Sequence, residues 1–305
     1  MRELYERVRE QVGKVVVGQD DVVAQLVAAL ACGGHVLVEG PPGVAKTLLA
    51  RTLGVEFRRA QFTPDMLPSD LTGTMVLRGD ELVFREGPVF TNILLADEIN
   101  RTPPKTQAAL LEAMQEGQVS IDGRARDLPT PFLVIATQNP IEYEGTYPLP
   151  EAQLDRFLLR VDMGYPSAAN ERTMLALHRD GLAPGTLADV RQVAGAADLI
   201  SARREIDETA VEVDVTGYVV DLVRRTRELP SVSLGASPRA AVHLLSAAKA
   251  AARLAGREFV TPDDVAEMAP AALAHRLVLT PDAELERFTA HEAVRTALAD
   301  VPVPR

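Results

Sequence analysis

Residues 40–47 of the chain read GPPGVAKT. The stretch follows an apolar strand candidate that ends at Glu39, and it opens a segment with helical periodicity. A phosphate-binding loop requires this context, because the loop's backbone N–H groups and the helix N-terminus then face an anion. Lys46 is placed to reach the β- and γ-phosphates of a nucleotide, and Thr47 to ligate Mg²⁺. Ala45 stands where a glycine usually precedes the lysine, so the motif alone also allows a simple Gly/Pro turn.

Two carboxylates end a second apolar strand candidate, ILLADE at residues 93–98. Asp97 is placed to hold Mg²⁺ through its hydration shell, and Glu98 to polarise an attacking water as general base. Surface acids at the end of a loop would read the same, but the upstream loop favours nucleotide hydrolysis. A third strand candidate leads to Asn139, whose amide can both donate and accept hydrogen bonds near a γ-phosphate. An Asn-Pro turn is the alternative interpretation of that residue.

Short apolar runs alternate with helical patterns through about the first 165 residues. The strand candidates are Val36–Val38, Phe57–Gln61, Ile93–Ala96, Phe132–Ala136 and Leu158–Val161. The helical patterns between them include Asp21–Ala31, Thr47–Leu53 and Lys105–Glu116. Continuous apolar strands separated by helices predict an α/β fold, in which a parallel five-stranded sheet is covered on both faces.

Two segments interrupt this alternation, and a helical region follows it. Residues 74–84 and 118–126 each have strand character on both sides of a turn, which predicts two inserted β-hairpins. After about Pro166 the candidates are helical: Asn170–His178, Asp189–Ile206, Thr216–Glu228, Ser237–Leu254 and Thr261–Ala269. Ser237-Pro238 and Thr261-Pro262 predict capped helix starts. We expect a nucleotide-binding core over 1–184, an all-helical lid over 185–280, and a C-terminal extension over 281–305 with no assigned role.

Composition restricts the class of protein. Of 305 residues, 47% are hydrophobic and 25% charged, which is typical of a soluble globular chain. The single Cys32 excludes an internal disulfide framework and fits a reducing compartment. No apolar run is long enough to span a bilayer, and the amphipathic first twelve residues do not resemble a signal peptide, so a cytoplasmic location is predicted. The formal net charge of −11 disfavours a broad nucleic-acid surface.

Five motifs in order resemble the MoxR branch of the AAA+ ATPases. They are GPPGVAKT, LLADEINR, ATQNP, PLPEAQLDRF at 148–157 and LGASPRA at 234–240. The resemblance extends from about Val17 to Leu277, and members of this branch commonly carry alanine at the position of Ala45. It implies a three-layer αβα P-loop AAA+ domain followed by a helical lid, with the hairpins as its helix-2 and pre-sensor-1 inserts. It also implies ring assembly, commonly hexameric, and remodelling or maturation of a protein client. Such proteins often work with a partner that bears a von Willebrand factor A domain.

The same resemblance assigns roles to individual residues, with ATP as substrate and Mg²⁺ as cofactor. It implies Asn139 as sensor 1, Arg156 as the arginine finger and Arg239 as sensor 2. It places Gln61 as a restraint on Glu98 when no substrate is engaged. The implied nucleotide contacts are Val17, Gly18, Gln19, Gly40, Pro42, Gly43, Val44, Ala45, Lys46, Thr47 and Leu48.

Simpler roles remain open for the arginines. An ordinary surface ion pair is the alternative for Arg156 and Arg239, since the chain has 43 acidic residues. Arg101 fits either a phosphate sensor across a subunit interface or a local salt bridge.

The favoured hypothesis is a Mg²⁺-dependent ATPase working in a homo-oligomeric ring, because Arg156 lies beyond the sheet and out of reach of its own nucleotide. A metal-chelatase motor subunit shares the same inserts. A nucleic-acid-remodelling motor is supported only by Arg124 and Arg126 on the second hairpin. A nucleotide-binding scaffold without turnover is disfavoured because both Asp97 and Glu98 are retained.

Overall fold

A computed structural model describes residues 1–14, 18–40, 52–138, 146–164, 167–179 and 191–304. Its centre is a parallel sheet of five strands: Val36–Glu39 (β1), Phe57–Gln61 (β2), Ile93–Asp97 (β5), Leu133–Gln138 (β8) and Leu159–Asp162 (β9). The strand order is β2-β5-β8-β1-β9. The predicted parallel five-stranded sheet is confirmed, with strand ends within two residues of the predicted ones.

Helices cover both faces of the sheet, as continuous apolar strands require. Arg2–Gly13 (α1) and Asp20–Cys32 (α2) contribute to one hydrophobic core together with Ile93 and Leu95. Pro104–Glu116 (α4) contributes to a second core together with Leu94 and Ala96. Because alternate residues of β5 enter different cores, the domain has the three αβα layers predicted. Two short helices, Pro68–Thr72 (α3) and Glu151–Leu154 (α5), lie in the connections.

The two predicted hairpins are present and stand outside the main sheet. The first pairs Gly73–Arg78 (β3) with Glu81–Glu86 (β4), and the second pairs Gln118–Ile121 (β6) with Arg124–Asp127 (β7). In the second turn Asp122 has φ 50° and Gly123 has φ 74°, the pair of positive values that a tight type I′ hairpin requires. The Arg126 guanidinium lies 3.9 Å from the Phe84 ring centroid, so the hairpins contact each other.

The second half of the chain is mainly helical. Its helices include Ala168–Arg179 (α6), Ala196–Asp207 (α7), Val213–Thr226 (α8), Pro238–Leu254 (α9) and Pro262–Leu273 (α10). The Ser237 hydroxyl accepts from the Ala240 N–H and the Thr261 hydroxyl from the Asp264 N–H, so both predicted N-caps are confirmed.

Two details differ from the sequence-based expectations. The helix expected over Asp189–Ile206 begins only at Ala196, because the Asp198 carboxylate accepts from the Gly195 N–H and fixes a helix start there. Strands also do not stop at Pro166. Val232–Leu234 (β10) and Val278–Leu279 (β11) form a small antiparallel pair, too short for alternation to reveal.

The last residues pack onto the preceding helices. Pro281–Leu285 (α11) and Ala290–Asp300 (α12) follow β11, and Ala293, Val294 and Ala297 are buried in the same core as α8 and α10. The domain boundaries expected at 184 and 280 stay predictions. Among the described residues, no helix is long and apolar enough to cross a membrane.

Candidate active site

The carboxyl ends of β1 and β5 lie at one edge of the sheet, separated only by β8. Gly40 follows β1 with φ 131°, and a Cβ there would collide with the Met163 carbonyl, so only glycine fits where the chain leaves β1 for the GPPGVAKT loop. Gly18, with φ 78°, and Gln19 precede α2. The remaining predicted site residues outside the described ranges are Val17, Pro42, Gly43, Val44, Ala45, Lys46, Thr47, Leu48 and Asn139.

Asp97 ends β5 at this edge, with its carboxylate held from two sides. Oδ2 accepts from Arg59 Nε at 2.6 Å, and Oδ1 accepts from the Thr137 hydroxyl at 3.2 Å. The Asp97 side chain is 14% exposed, whereas that of Arg59 is 62% exposed. The Asp97 carboxylate is thus mostly buried beside a well-exposed arginine partner, and its oxygens are the donor type that Mg²⁺ prefers.

Glu98 follows with an uncommon backbone conformation. Its φ of 57° is left-handed, which costs free energy for a residue other than glycine and is found at functional sites. The Glu98 N–H donates to Thr137 Oγ1 at 2.9 Å, so one threonine orients both acids. Oε2 of Glu98 accepts from Gln61 Nε2 at 2.7 Å and lies 3.4 Å from Arg101 Nε. The contact expected between Gln61 and Glu98 is present, and Arg101 forms the local salt bridge.

Arg59 and Thr137 were not identified from the sequence. The available signal was register: Gln61 pairs with Asp97 across the parallel strands, and Arg59 lies two residues earlier on the same face of β2. Thr137 lies in β8, next to β5. Side chains at the same register position of neighbouring parallel strands lie close enough to contact the acidic pair.

The two predicted arginines lie at the opposite, amino-end edge. Arg156 is half-buried three residues before β9, and Arg239 is exposed in the first turn of α9. Both line a cavity of about 250 Å³ with Gly33 and Gly34, which precede β1. Four residues of β1 at ~3.3 Å each put about 13 Å between this edge and Gly40. Neither arginine forms an ion pair with any residue in the described ranges.

Two histidines at this edge, the buried His35 and the half-buried His243, have pKa values well below the ordinary one. His35 Nε2 donates to the Met114 carbonyl at 2.9 Å, and Nδ1 accepts from the Val134 N–H at 3.0 Å. Burial lowers the pKa of His35 to about 4, and burial with the neighbouring Arg276 charge lowers that of His243 to about 4. Over the described parts of the chain, no cluster of His, Cys, Asp and Glu side chains has the arrangement of a metal site.

The fold and the paired acids at the sheet edge are those of a P-loop ATPase. Residues 35–159 match the model of the ATPase family associated with various cellular activities (AAA), and residues 224–297 match that of the AAA lid domain.

Relatives place the chain more narrowly. It is 44% identical to Chaperone MoxR1 of Mycobacterium tuberculosis, over 98% of this chain and 82% of that protein. It is 48% identical to the uncharacterized protein YeaC of Bacillus subtilis, over 97% and 93%. The crystal structure of a putative ATPase from Cytophaga hutchinsonii superposes with a TM-score of 0.91 at 41% identity, covering 100% of this chain and 96% of that one. The chain belongs to the MoxR family of AAA+ ATPases.

Proposed function

We propose that the chain hydrolyses ATP to ADP and phosphate with Mg²⁺, and that it does so in the cytoplasm as a homo-oligomeric, hexameric ring.

ATP turnover in this ring drives the remodelling or maturation of a protein client. One observation carries the proposal: the acidic pair Asp97–Glu98 lies at the sheet edge where β1 ends before the GPPGVAKT sequence, while Arg156 and Arg239 lie at the opposite edge with no ion-pair partner among the described residues.

The carboxyl edge of the sheet, which carries Asp97 and Glu98 and is called the acid edge below, supplies the groups for hydrolysis. Lys46 faces the phosphates, and Glu98 accepts the proton of the attacking water. Asp97 and Thr47 are the residues that would hold Mg²⁺, which neutralises charge on the phosphate oxygens. Asn139 orients the water or the γ-phosphate. The Gln61–Glu98 hydrogen bond supports a resting state in which the base is restrained until a client is engaged.

The amino edge of the sheet, which carries Arg156 and Arg239 and is called the arginine edge below, supports assembly into a ring. Arg156 and Arg239 share one cavity and have no ion-pair partner in the described ranges, in a chain whose formal net charge is −11. The γ-phosphate bound by a neighbouring subunit would provide the missing negative charge. Arg156 then acts as the finger and Arg239 as sensor 2, both toward the neighbour's nucleotide.

The proposal that the client is a protein is based on the names of similar proteins. The name Chaperone MoxR1, given to a protein 44% identical to this chain, supports a protein client. A partner with a von Willebrand factor A domain follows from the family resemblance. Nucleic acid is a poor candidate because of the acidic balance.

Two variants test the ATPase. Lys46→Ala removes the charge facing the β- and γ-phosphates and should abolish tight binding of a fluorescent ATP analogue. Glu98→Gln keeps the size of the side chain but cannot accept a proton. It should bind the analogue normally and hydrolyse ATP at least about a hundredfold more slowly. Normal binding by the first variant, or wild-type turnover by the second, would refute the proposed site.

A third experiment tests the client class. Rings of Glu98→Gln locked with ATP should retain protein clients, which mass spectrometry identifies, while Lys46→Ala prepared in parallel should not. Submicromolar binding of DNA or RNA at physiological salt, or ATPase stimulation by nucleic acid, would favour a nucleic-acid motor. Retention of a metal-inserting enzyme would favour a chelatase motor.

A further inference from the structure

A buried arginine of the lid holds the segment that carries Arg156. Arg276 ends a 3₁₀ turn after α10, and the residue is only 4% exposed. Its Nη2 donates to the carbonyl oxygens of Asp155, at 3.2 Å, and of Phe157, at 2.6 Å. Its Nε lies 2.9 Å from Asp155 Oδ1. One guanidinium therefore fixes the backbone on both sides of Arg156.

A second contact ties the same segment to the start of α9. The Ser237 hydroxyl lies 2.9 Å from each carboxylate oxygen of Asp155, and it accepts from the Ala240 N–H as the helix cap. Ser237 stands two residues before Arg239. Asp155 is thus bonded both to Arg276 and to the turn that carries Arg239.

The chemistry of this cluster indicates a role beyond stability. Burial lowers the pKa of Arg276 to about 10, so the side chain remains charged at neutral pH. His243 Nδ1 faces the same guanidinium as a neutral acceptor. A buried ion pair adds little net stability, because the cost of removing both charges from water offsets their attraction. What such a pair does supply is one fixed geometry for the groups around it.

We infer that Arg276 is a positioning residue that fixes Arg156 to the lid, so that Arg156 and Arg239 meet the neighbouring subunit as one rigid pair. The inference rests on the proposed ring. It has a mechanical consequence: movement of the lid in one subunit moves the two arginines offered to the next.

The primary variant is Arg276→Met, which keeps the volume and removes every donor. The kcat for ATP should fall about a hundredfold, the scale expected for a misplaced catalytic group, while ATP binding by the variant's own site is unchanged. Arg276→Lys keeps the charge but not the forked guanidinium that reaches two carbonyls. Its kcat should therefore lie between that of Arg276→Met and that of the wild type. If Arg276→Met does not fold, Arg276→Lys and Ser237→Ala carry the test.

The matched control is Arg257→Met. Arg257 pairs with the buried carboxylate of Asp264, also in the lid, and its hydrogen bonds go to Phe259, Thr261 and Asp264 rather than to the 155–157 segment. Arg257→Met should lose about as much thermal stability as Arg276→Met does, but it should keep the wild-type kcat. Equal loss of kcat in both variants would show that Arg276 acts only through lid stability.

A double-mutant cycle and subunit mixing complete the test. In the Arg156→Ala background, Arg276→Met should lower kcat no further, because the group it positions is absent; additive losses would overturn the inference. Mixed with Glu98→Gln subunits, Arg276→Met should regain activity, since it keeps its own base and receives an intact finger. No recovery, where Arg156→Ala does recover with Glu98→Gln, would also overturn it. Failure of that reference mixture in confirmed mixed rings would instead refute the proposed ring site, while the cycle still reports on Arg276.

Discussion

The two edges of the central sheet differ in charge and in how their functional side chains are held. At the carboxyl edge two acids are held by polar partners from the neighbouring strand, one of them the well-exposed Arg59. At the amino edge two arginines without ion pairs in the described ranges sit on a buried polar cluster around Arg276. Exposed partners exchange readily with ligands, whereas buried networks keep one geometry. The difference indicates one edge that changes its partners during turnover and another that is presented rigidly to a neighbour.

The largest effect is expected from removing the finger. Arg156→Ala should still bind ATP, because its own acid edge is intact. Its hydrolysis should fall by about 10³ to 10⁵, the contribution of an arginine that stabilises charge on the transferring phosphoryl group. Steady-state kinetics with a fluorescent binding assay measures both. The exposed Arg295→Ala on α12 is the control and should behave as wild type; a loss below about tenfold in Arg156→Ala would remove the functional distinction between the edges.

A smaller effect is expected at the acid edge. Arg59 competes with a cation for the Asp97 carboxylate, so Arg59→Gln should lower the Mg²⁺ concentration that half-saturates the enzyme. A pair with one well-exposed partner predicts a shift of about twofold to fivefold. Mn²⁺ binding in the presence of a non-hydrolysable ATP analogue, followed by electron paramagnetic resonance, reads the affinity apart from activity.

Arg58→Gln is the matched control for that shift. Arg58 pairs with Glu56 and with the Gly87 carbonyl rather than with Asp97. It should leave the Mg²⁺ dependence unchanged. If both variants shift it equally, general electrostatics rather than the Arg59–Asp97 contact is responsible.

The last effect concerns the free energy of unfolding rather than catalysis, and it belongs to the amino edge. The pKa of His35 and that of His243 are lowered to about 4 by burial, against about 6.5 in an unfolded chain. The unfolded chain therefore takes up protons first. The contribution of these histidines to the free energy of unfolding is fully present above about pH 6.5. It decreases toward pH 4, by up to about 1.4 kcal/mol per pH unit for each histidine. Denaturant unfolding between pH 7 and 5 measures this slope, and His35→Gln should flatten it; an unchanged slope would contradict the assignment.

Much of the fold could be predicted because its signals are local. The three central strands β1, β5 and β8 are buried and mainly apolar, Asp122-Gly123 marks its own turn, and the acids of residues 97–98 directly end a buried strand. The pair β10–β11 was missed because it has only three and two residues. Arg276 was missed because its role depends on Asp155, 121 residues away in the chain, and no periodicity records such a contact.

The central claim is that the acid edge of one subunit and the arginine edge of the next form one site. Subunit mixing tests it most directly. Glu98→Gln lacks the base but keeps Arg156, and Arg156→Ala lacks the finger but keeps Glu98. After mass spectrometry has confirmed mixed rings, the mixture should hydrolyse ATP faster than either variant alone, because some interfaces join an intact Glu98 to an intact Arg156. Confirmed mixed rings with no gain at any ratio would contradict the claim.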